Sequence, residues 1–175
     1  MEHKAFLFDY GLFAQELKVI LEDALQSGDV YALTSFINAN LSDFRDPYEG
    51  DPLEADWEAM IATRDPHQFG DFAITKYYRP DKDIGLGKSW ETLQNMIAAD
   101  PLIVESPILG SILGPRSNPF DPGKMGSYFQ SAQQVQQSQG CLLNFVRTGR
   151  VEVIDQAVQM LQRAIGANMG LYITF

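Results

Sequence analysis

Three stretches of the chain carry residue types from which chemistry is commonly built. The first is Asp83–Leu93, DIGLGKSWETL, where Gly87-Lys88-Ser89 has the form in which a phosphate-binding loop closes ahead of its helix. The full pattern, G-x-x-x-x-G-K-[ST], requires a glycine at residue 82, and that residue is Lys82. A strand should also run straight into such a loop, whereas Arg79-Pro80-Asp81-Lys82-Asp83 intervenes here. A helix N-terminus can hold an anion through its free N–H groups, with Lys88 beside it. The simpler expectation is a turn at Gly85 and Gly87 with Ser89 as the cap of the following helix.

The second is Cys141, which follows Gln139-Gly140 and could serve as a nucleophile with His67 as its base. A lone cysteine beside Leu142 and Leu143 reads more simply as a small buried hydrophobe. The two histidines, His3 and His67, are far apart in sequence, and the cysteine has no partner at ligand spacing. The third is the acidic run from Asp43 to Asp56, which does not follow the calcium-loop spacing D-x-[DN]-x-[DN]-G-x5-E. No G-x-S-x-G elbow occurs, since GSILG places its serine wrongly. Neither a metal nor a cofactor is expected, and no catalytic residue is assigned. The densest polar–aromatic cluster is KYYRPDKD, Lys76–Asp83, in which Tyr77, Tyr78 and Arg79 are of the types favoured at binding surfaces; the simpler expectation is a strand end with stacked tyrosines and a charged turn.

Charge narrows the classes of partner. Thirteen of the 23 acidic residues but only three of the 13 basic ones lie in residues 1–60, so this third carries the whole net charge of −10. Phosphate contacts need Lys and Arg, so nucleic acid is not an expected partner. A basic protein is a candidate, with Asp46, Glu49 and Asp51 among the carboxylates that would meet it, and the simpler expectation is a solvated acidic face that aids solubility. One cysteine permits no internal disulfide and, with no secretion signal read at the N-terminus, points to a reducing, cytoplasmic location. No apolar stretch reaches the roughly 20 residues of a membrane span.

The elements that would position these residues follow from periodicity. The 175 residues suit one domain, 45% hydrophobic and 21% charged. Ala5–Phe8 reads as a strand. Leu12–Ser27 reads as a helix with Phe13, Leu17, Ile20, Leu21, Ala24 and Leu25 on one face and Gly28 as its stop. Asp29 caps a helix over Tyr31–Asn40. Ser42–Asp51 is an acidic loop, and Asp51-Pro52-Leu53-Glu54 reads as the start of a helix reaching Ala62. Asp65-Pro66 reads as a break, and Asp71–Tyr78, DFAITKYY, as a strand.

Trp90–Ala99 reads as a helix with Trp90, Leu93, Met96 and Ile97 on one side. Leu102–Leu113 reads as an extended piece and then a short helix, and Gly114–Gly126 as a loop. Ser127–Gln139 is a Gln-rich helix, Leu142–Val146 either strand or helix, and Val151–Ile165 a strongly amphipathic helix. LYITF closes the sequence as a strand with Leu171, Ile173 and Phe175 on one face. The fold class expected is mixed α and β, helix-rich, with a small central sheet and helices on its faces.

GKSWETLQNMI, followed at a distance by SPILGSILG, resembles the YfbM-like family of uncharacterised bacterial proteins. There a Lys-x-Trp-x-x-Leu element precedes a small-apolar ILG segment. The matching residues are Lys88, Trp90, Leu93, Ile112, Leu113 and Gly114. Val151–Phe175 is similar to that family's ending in general pattern; residues 1–65 are not. The resemblance implies a sheet flanked by helices, a bacterial cytoplasmic location, and a tryptophan used for core contacts, with no catalytic residue carried over. Function is thus expected to be non-catalytic binding of a basic protein through the acidic third, of which an inhibitor imitating nucleic acid is one form. The alternative is an enzyme or small-ligand protein with a pocket near Trp90, Tyr77, Tyr78 and Arg79 or near the loop 114–126.

Overall fold

A computed structural model describes residues 1–101, 103–146 and 152–175. Three strands, β1 (Lys4–Phe8), β2 (Ser127–Gln130) and β3 (Gly170–Thr174), form an antiparallel sheet in the order β1-β3-β2. The register sets Phe6 and Phe129 on either side of Tyr172, and Ala5 and Tyr128 on either side of Ile173. Because side chains alternate along a strand, this register sorts the apolar residues into two cores. Phe6, Phe8, Phe129 and Tyr172 enter one; Ala5, Leu171 and Ile173 enter the other.

The first core is covered by α1 (Tyr10–Glu16), α2 (Lys18–Ser27), α3 (Tyr31–Ala39) and α4 (Pro66–Ile74). The second is covered by α5 (Trp90–Ala98), α6 (Ala132–Val146) and α7 (Glu152–Ala167). The expected mixed, helix-rich class is therefore the one observed: a small sheet between two helical layers.

Several elements differ from expectation. Asp71–Tyr78 is no strand: α4 and a 3₁₀ turn over Thr75–Tyr77 occupy it. The Asp65 carboxylate accepts the His67 N–H at 3.0 Å and Pro66 takes the first turn, so Asp65-Pro66 starts a helix rather than breaking the chain. Phe69 through Ile74 are all buried, which erases the one-sided pattern that marks a helix. Gly70 is needed because a Cβ there would lie 2.6 Å from Leu21 Cδ1 and 2.7 Å from Phe120 Cε2.

The same Asp-Pro signal at Asp51-Pro52 starts no helix. Leu53 N–H goes to the Phe44 carbonyl at 3.1 Å, Pro52 bridges Arg45, and only Trp57–Met60 coils, as 3₁₀. Long-range anchoring wins there: Leu53 and Trp57 are buried, and the Trp57 indole N–H donates to Asn38 Oδ1 at 2.9 Å.

The helix expected over Leu12–Ser27 is two, divided at Leu17, whose φ of −118° departs from helical values while its side chain stays in the core. Ser127–Gln130 is β2, so the Gln-rich helix begins at Ala132. Leu142–Val146 is the end of that helix. Leu102 and Val151, where two expected segments begin, lie outside the described residues. Residues 103–113 form no helix; Ser111 instead exchanges two backbone hydrogen bonds with Phe129, at 2.9 and 2.8 Å.

Candidate ligand-binding cleft

On the first face of the sheet, where β1 and β3 meet the end of α4, the chain encloses a cleft of about 240 Å3. β1 contributes Lys4 and Phe6, and β3 contributes Tyr172 and Thr174. α4 contributes Asp71, and the segment after it Tyr78 and Pro80. The acidic loop closes one side with Pro47 and Tyr48, and the loop 114–126 the other with Pro122 and Gly123.

Local chemistry holds each wall. In the acidic loop Asp46 is a hub. Its Oδ1 accepts the N–H groups of Tyr48 at 2.6 Å and Glu49 at 3.1 Å, and its backbone closes on Asp51 and Gly50 at 2.9 Å each. This Asx-type turn needs the left-handed φ of +77° at Gly50 and presents Tyr48 outward, 76% exposed. Arg45 N–H donates to Thr75 Oγ1 at 3.0 Å, which ties the loop to the end of α4.

Across the cleft, His67 and Asn118 pin the long loop. Asp121 N–H donates to His67 Nδ1 at 3.0 Å, so the ring proton sits on Nε2 and donates to Asn118 Oδ1, also at 3.0 Å. The Asn118 amide then donates to the Leu25 carbonyl at 2.8 Å.

Asp71 lies in this cleft without a side-chain partner. It is 9% exposed, and among the described residues its carboxyl makes no hydrogen bond or ion pair. Burial, and after it the negative charge of Asp46, raises this carboxyl from its usual 3.8 to about 7. Burial, followed by the charge of neighbouring groups including Asp71, also raises the phenols of Tyr48 and Tyr78. At neutral pH the cleft thus holds a carboxyl poised between its two protonation states, ringed by neutral tyrosines. It can donate one proton, accept hydrogen bonds, or face a cation.

The residues singled out from sequence separate. Tyr78 and Asp46 come together around Asp71, which sequence reasoning missed. The available signal was an aspartate inside the apolar run Phe69–Ile74, a charge that a buried element does not carry idly. Tyr77 faces a second, larger cleft of about 400 Å3 with Leu7, Arg79 and Ile84. Its polar ends are already used: the Tyr77 hydroxyl donates to Glu16 Oε2 at 3.1 Å, Lys76 pairs with the same oxygen at 2.9 Å, and Arg79 pairs with Asp81 at 3.4 Å. Glu49 and Asp51 are exposed.

Lys88 is exposed, 3.7 Å from Glu2. Trp90 belongs to the other core, against Phe175 at 4.6 Å between ring centres. The glycine-rich stretch is a sheet-edge contact. His3 and Gly87 exchange two backbone hydrogen bonds at 3.0 Å, and a Cβ on Gly85 would collide with the His3 carbonyl. Ser89 makes no side-chain cap, contrary to expectation, because the chain enters α5 already in a helical conformation.

Cys141 is half-buried with its thiol raised by burial, away from the nucleophilic range. Among the described residues no three His, Cys, Asp or Glu side chains converge as a metal site, and no helix is long and apolar enough to cross a membrane. No family model, curated protein or solved structure matches the chain.

Proposed function

We propose that this is a small-ligand-binding protein whose site is the Asp71 cleft. The observation that carries it is the carboxyl of the largely buried Asp71, which has no side-chain partner and opens into a cleft with aromatic walls. Buried polar groups in folded proteins find partners, and one left facing a cavity is a group kept for a ligand. The test is a thermal-shift screen of small cations, amines, sugars and nucleotides at pH 8 on the wild type and Asp71→Asn. A ligand of the cleft raises the wild-type Tm by mass action and shifts the variant little. Shifts equal in both proteins, or no shift with any compound, would overturn the reading.

A second reading, binding of a basic protein partner, is favoured by a separate observation. Glu49, Asp51, Glu54, Asp56 and Glu58 are exposed and make no ion pair among the described residues, on a segment anchored by Asp46 and Trp57. A pre-ordered acidic face suits a basic surface, and its carboxylates would repel nucleic acid. Asp46 is part of the scaffold of this face, not of the contact. Converting the five exposed carboxylates to amides while leaving Asp46 intact should weaken capture of a basic protein at least tenfold at low salt; unchanged capture would sink this reading. The YfbM-like kinship, with its bacterial cytoplasmic setting, stands beside these as a proposal resting on Lys88, Trp90, Leu93 and Ile112–Gly114.

A further inference from the structure

The cleft reading can be taken to a ligand class, and the step rests on that reading. The groups facing Asp71 decide the sign of the ligand's charge. Asp46 approaches from the acidic loop, with its Oδ1 already committed to two backbone amides. Tyr48 approaches from the same loop, Tyr78 and Tyr172 from two other segments, and Asp121 lies near Tyr172. The one cation of the wall, Lys4, is exposed at the rim and makes no ion pair among the described residues. An anionic ligand would meet the Asp71 carboxyl with the Asp46 charge behind it, and a neutral one would leave their repulsion in place. A cation relieves it.

The walls decide the cation's surface. Rings of Phe6, Tyr78 and Tyr172 pack together, with Phe6 and Tyr78 centres 5.0 Å apart and Tyr78 and Tyr172 5.2 Å apart; Tyr48 stands at the mouth. Pro47, Pro80 and Pro122 fill the gaps and have no N–H to donate. A bare metal ion wants several oxygen ligands at once, and here a single free carboxyl is on offer. A cation clothed in methyl or methylene groups needs one counter-charge and apolar, π-rich walls. A cavity of roughly 150 Å3 holds benzene, so about 240 Å3 admits a small branched cation.

We propose that the cleft receives a small organic cation of the alkylated-ammonium class, with Asp71 as its counter-ion and the rings of Tyr48, Tyr78 and Tyr172 as its walls. No bond is made or broken; the site binds. The carboxyl must be ionised to serve, so binding strengthens as pH rises through about 7.

The test uses choline and tetramethylammonium as probes and 3,3-dimethylbutan-1-ol, the uncharged carbon isostere of choline, as control, by titration calorimetry on the intact chain. The expected result is that choline binds at least tenfold more tightly than the isostere at pH 8. Its affinity should fall about tenfold at pH 6, following the ionised fraction of a carboxyl titrating near 7, and Asp71→Asn should remove most of it. Tyr48→Ala, at an exposed ring that cannot compromise folding, should weaken choline severalfold while Tyr48→Phe retains it, since the ring and not the hydroxyl is at work. Equal affinity for choline and the isostere, or wild-type affinity in Asp71→Asn or Tyr48→Ala, overturns the ammonium assignment. If some uncharged compound of the wider screen still binds in an Asp71-dependent way, the cleft survives as a ligand site of another class. If nothing binds, both fall.

Discussion

Asp71 and His3 are both buried ionisable groups, and they pull on stability from opposite ends of the pH scale. The Asp71 carboxyl is raised in the folded chain from 3.8 to about 7, so between those values the folded state holds a proton that the unfolded chain has released. Stability from this group is complete below the unfolded value and is lost as pH climbs through about 7. At about 1.4 kcal/mol per unit the loss by pH 8 is on the order of 4 kcal/mol. Asp71→Asn removes the charge and should raise stability by roughly 2–4 kcal/mol at pH 8 and by little at pH 4, read from urea unfolding at both. A gain of equal size at both would mean the carboxyl is not buried as described.

His3 runs the other way. It is fully buried, and burial lowers its pKa below the ordinary 6.5. Its Nδ1 accepts the Leu86 N–H at 3.2 Å, so Nε2 carries the proton donated to the Ile108 carbonyl at 2.8 Å. Here the unfolded chain binds the extra proton. Stability is present above 6.5 and drains away as pH falls through the depressed folded value. His3→Leu strands an amide and a carbonyl, costing roughly 1–3 kcal/mol at pH 7.5. The deficit against wild type should narrow below pH 6, where the wild type itself is losing the contact. Denaturation midpoints across pH 5–8 would show it; a constant deficit would rule it out.

At the scale of elements, two identical dipeptides had different fates, and the comparison marks what could be read from sequence. Asp51-Pro52 and Asp65-Pro66 carry the same local signal, and local rules cannot rank them. What ranks them is where the following apolar residues go. After Pro66 they fill one continuous core as α4, and the Asp65 carboxylate caps it at 3.0 Å. After Pro52 the first apolar residue, Leu53, is drawn back to Phe44 by a backbone hydrogen bond, and the amide that an Asp51 cap would hold is taken.

α5 and α7 were legible because each keeps one face to a core and one to solvent, and the terminal strands because each is a short apolar, aromatic run, buried on both faces of the sheet. Asp71–Tyr78 was not, because an element buried all round shows no period. The cap ranking is measurable. Asp65→Ala should cost about 1 kcal/mol, as loss of a working N-cap does. Asp51→Ala, at an exposed side chain that caps nothing, should stay within about 0.5 kcal/mol of wild type. Equal costs for the two would place the helix start at Asp51 after all.

For the molecule as a whole, the cleft exists only when five distant stretches meet: β1, the acidic loop, the end of α4, the loop 114–126 and β3. Its aromatic residues other than Tyr48 would suit an ordinary core, so apart from Asp71 nothing in the chain order announces it. The loop 114–126 is the wall with least support of its own, being long and free of regular structure, and its position rests on a relay that runs away from the cleft. Asp121 N–H holds His67, His67 holds Asn118, and Asn118 holds the Leu25 carbonyl beyond the end of the loop. Asn118 touches no residue of the cleft wall in this relay, yet Pro122 and Gly123 depend on it for their place.

Asn118→Ala should therefore cost roughly 1–3 kcal/mol of stability by stranding the Leu25 carbonyl and the His67 Nε2–H. Amide exchange at Met125 and Gly126, whose N–H groups bond the Asp121 carboxylate at 3.1 and 3.0 Å, should speed up more than exchange in α7. Any ligand of the cleft should bind the variant severalfold more weakly, because the wall must be ordered again on binding. If Asn118→Ala lowered stability while exchange in α7 rose as much as at Met125 and Gly126, the relay would be a general support of the fold. The loop would then owe its place to the cores beneath it.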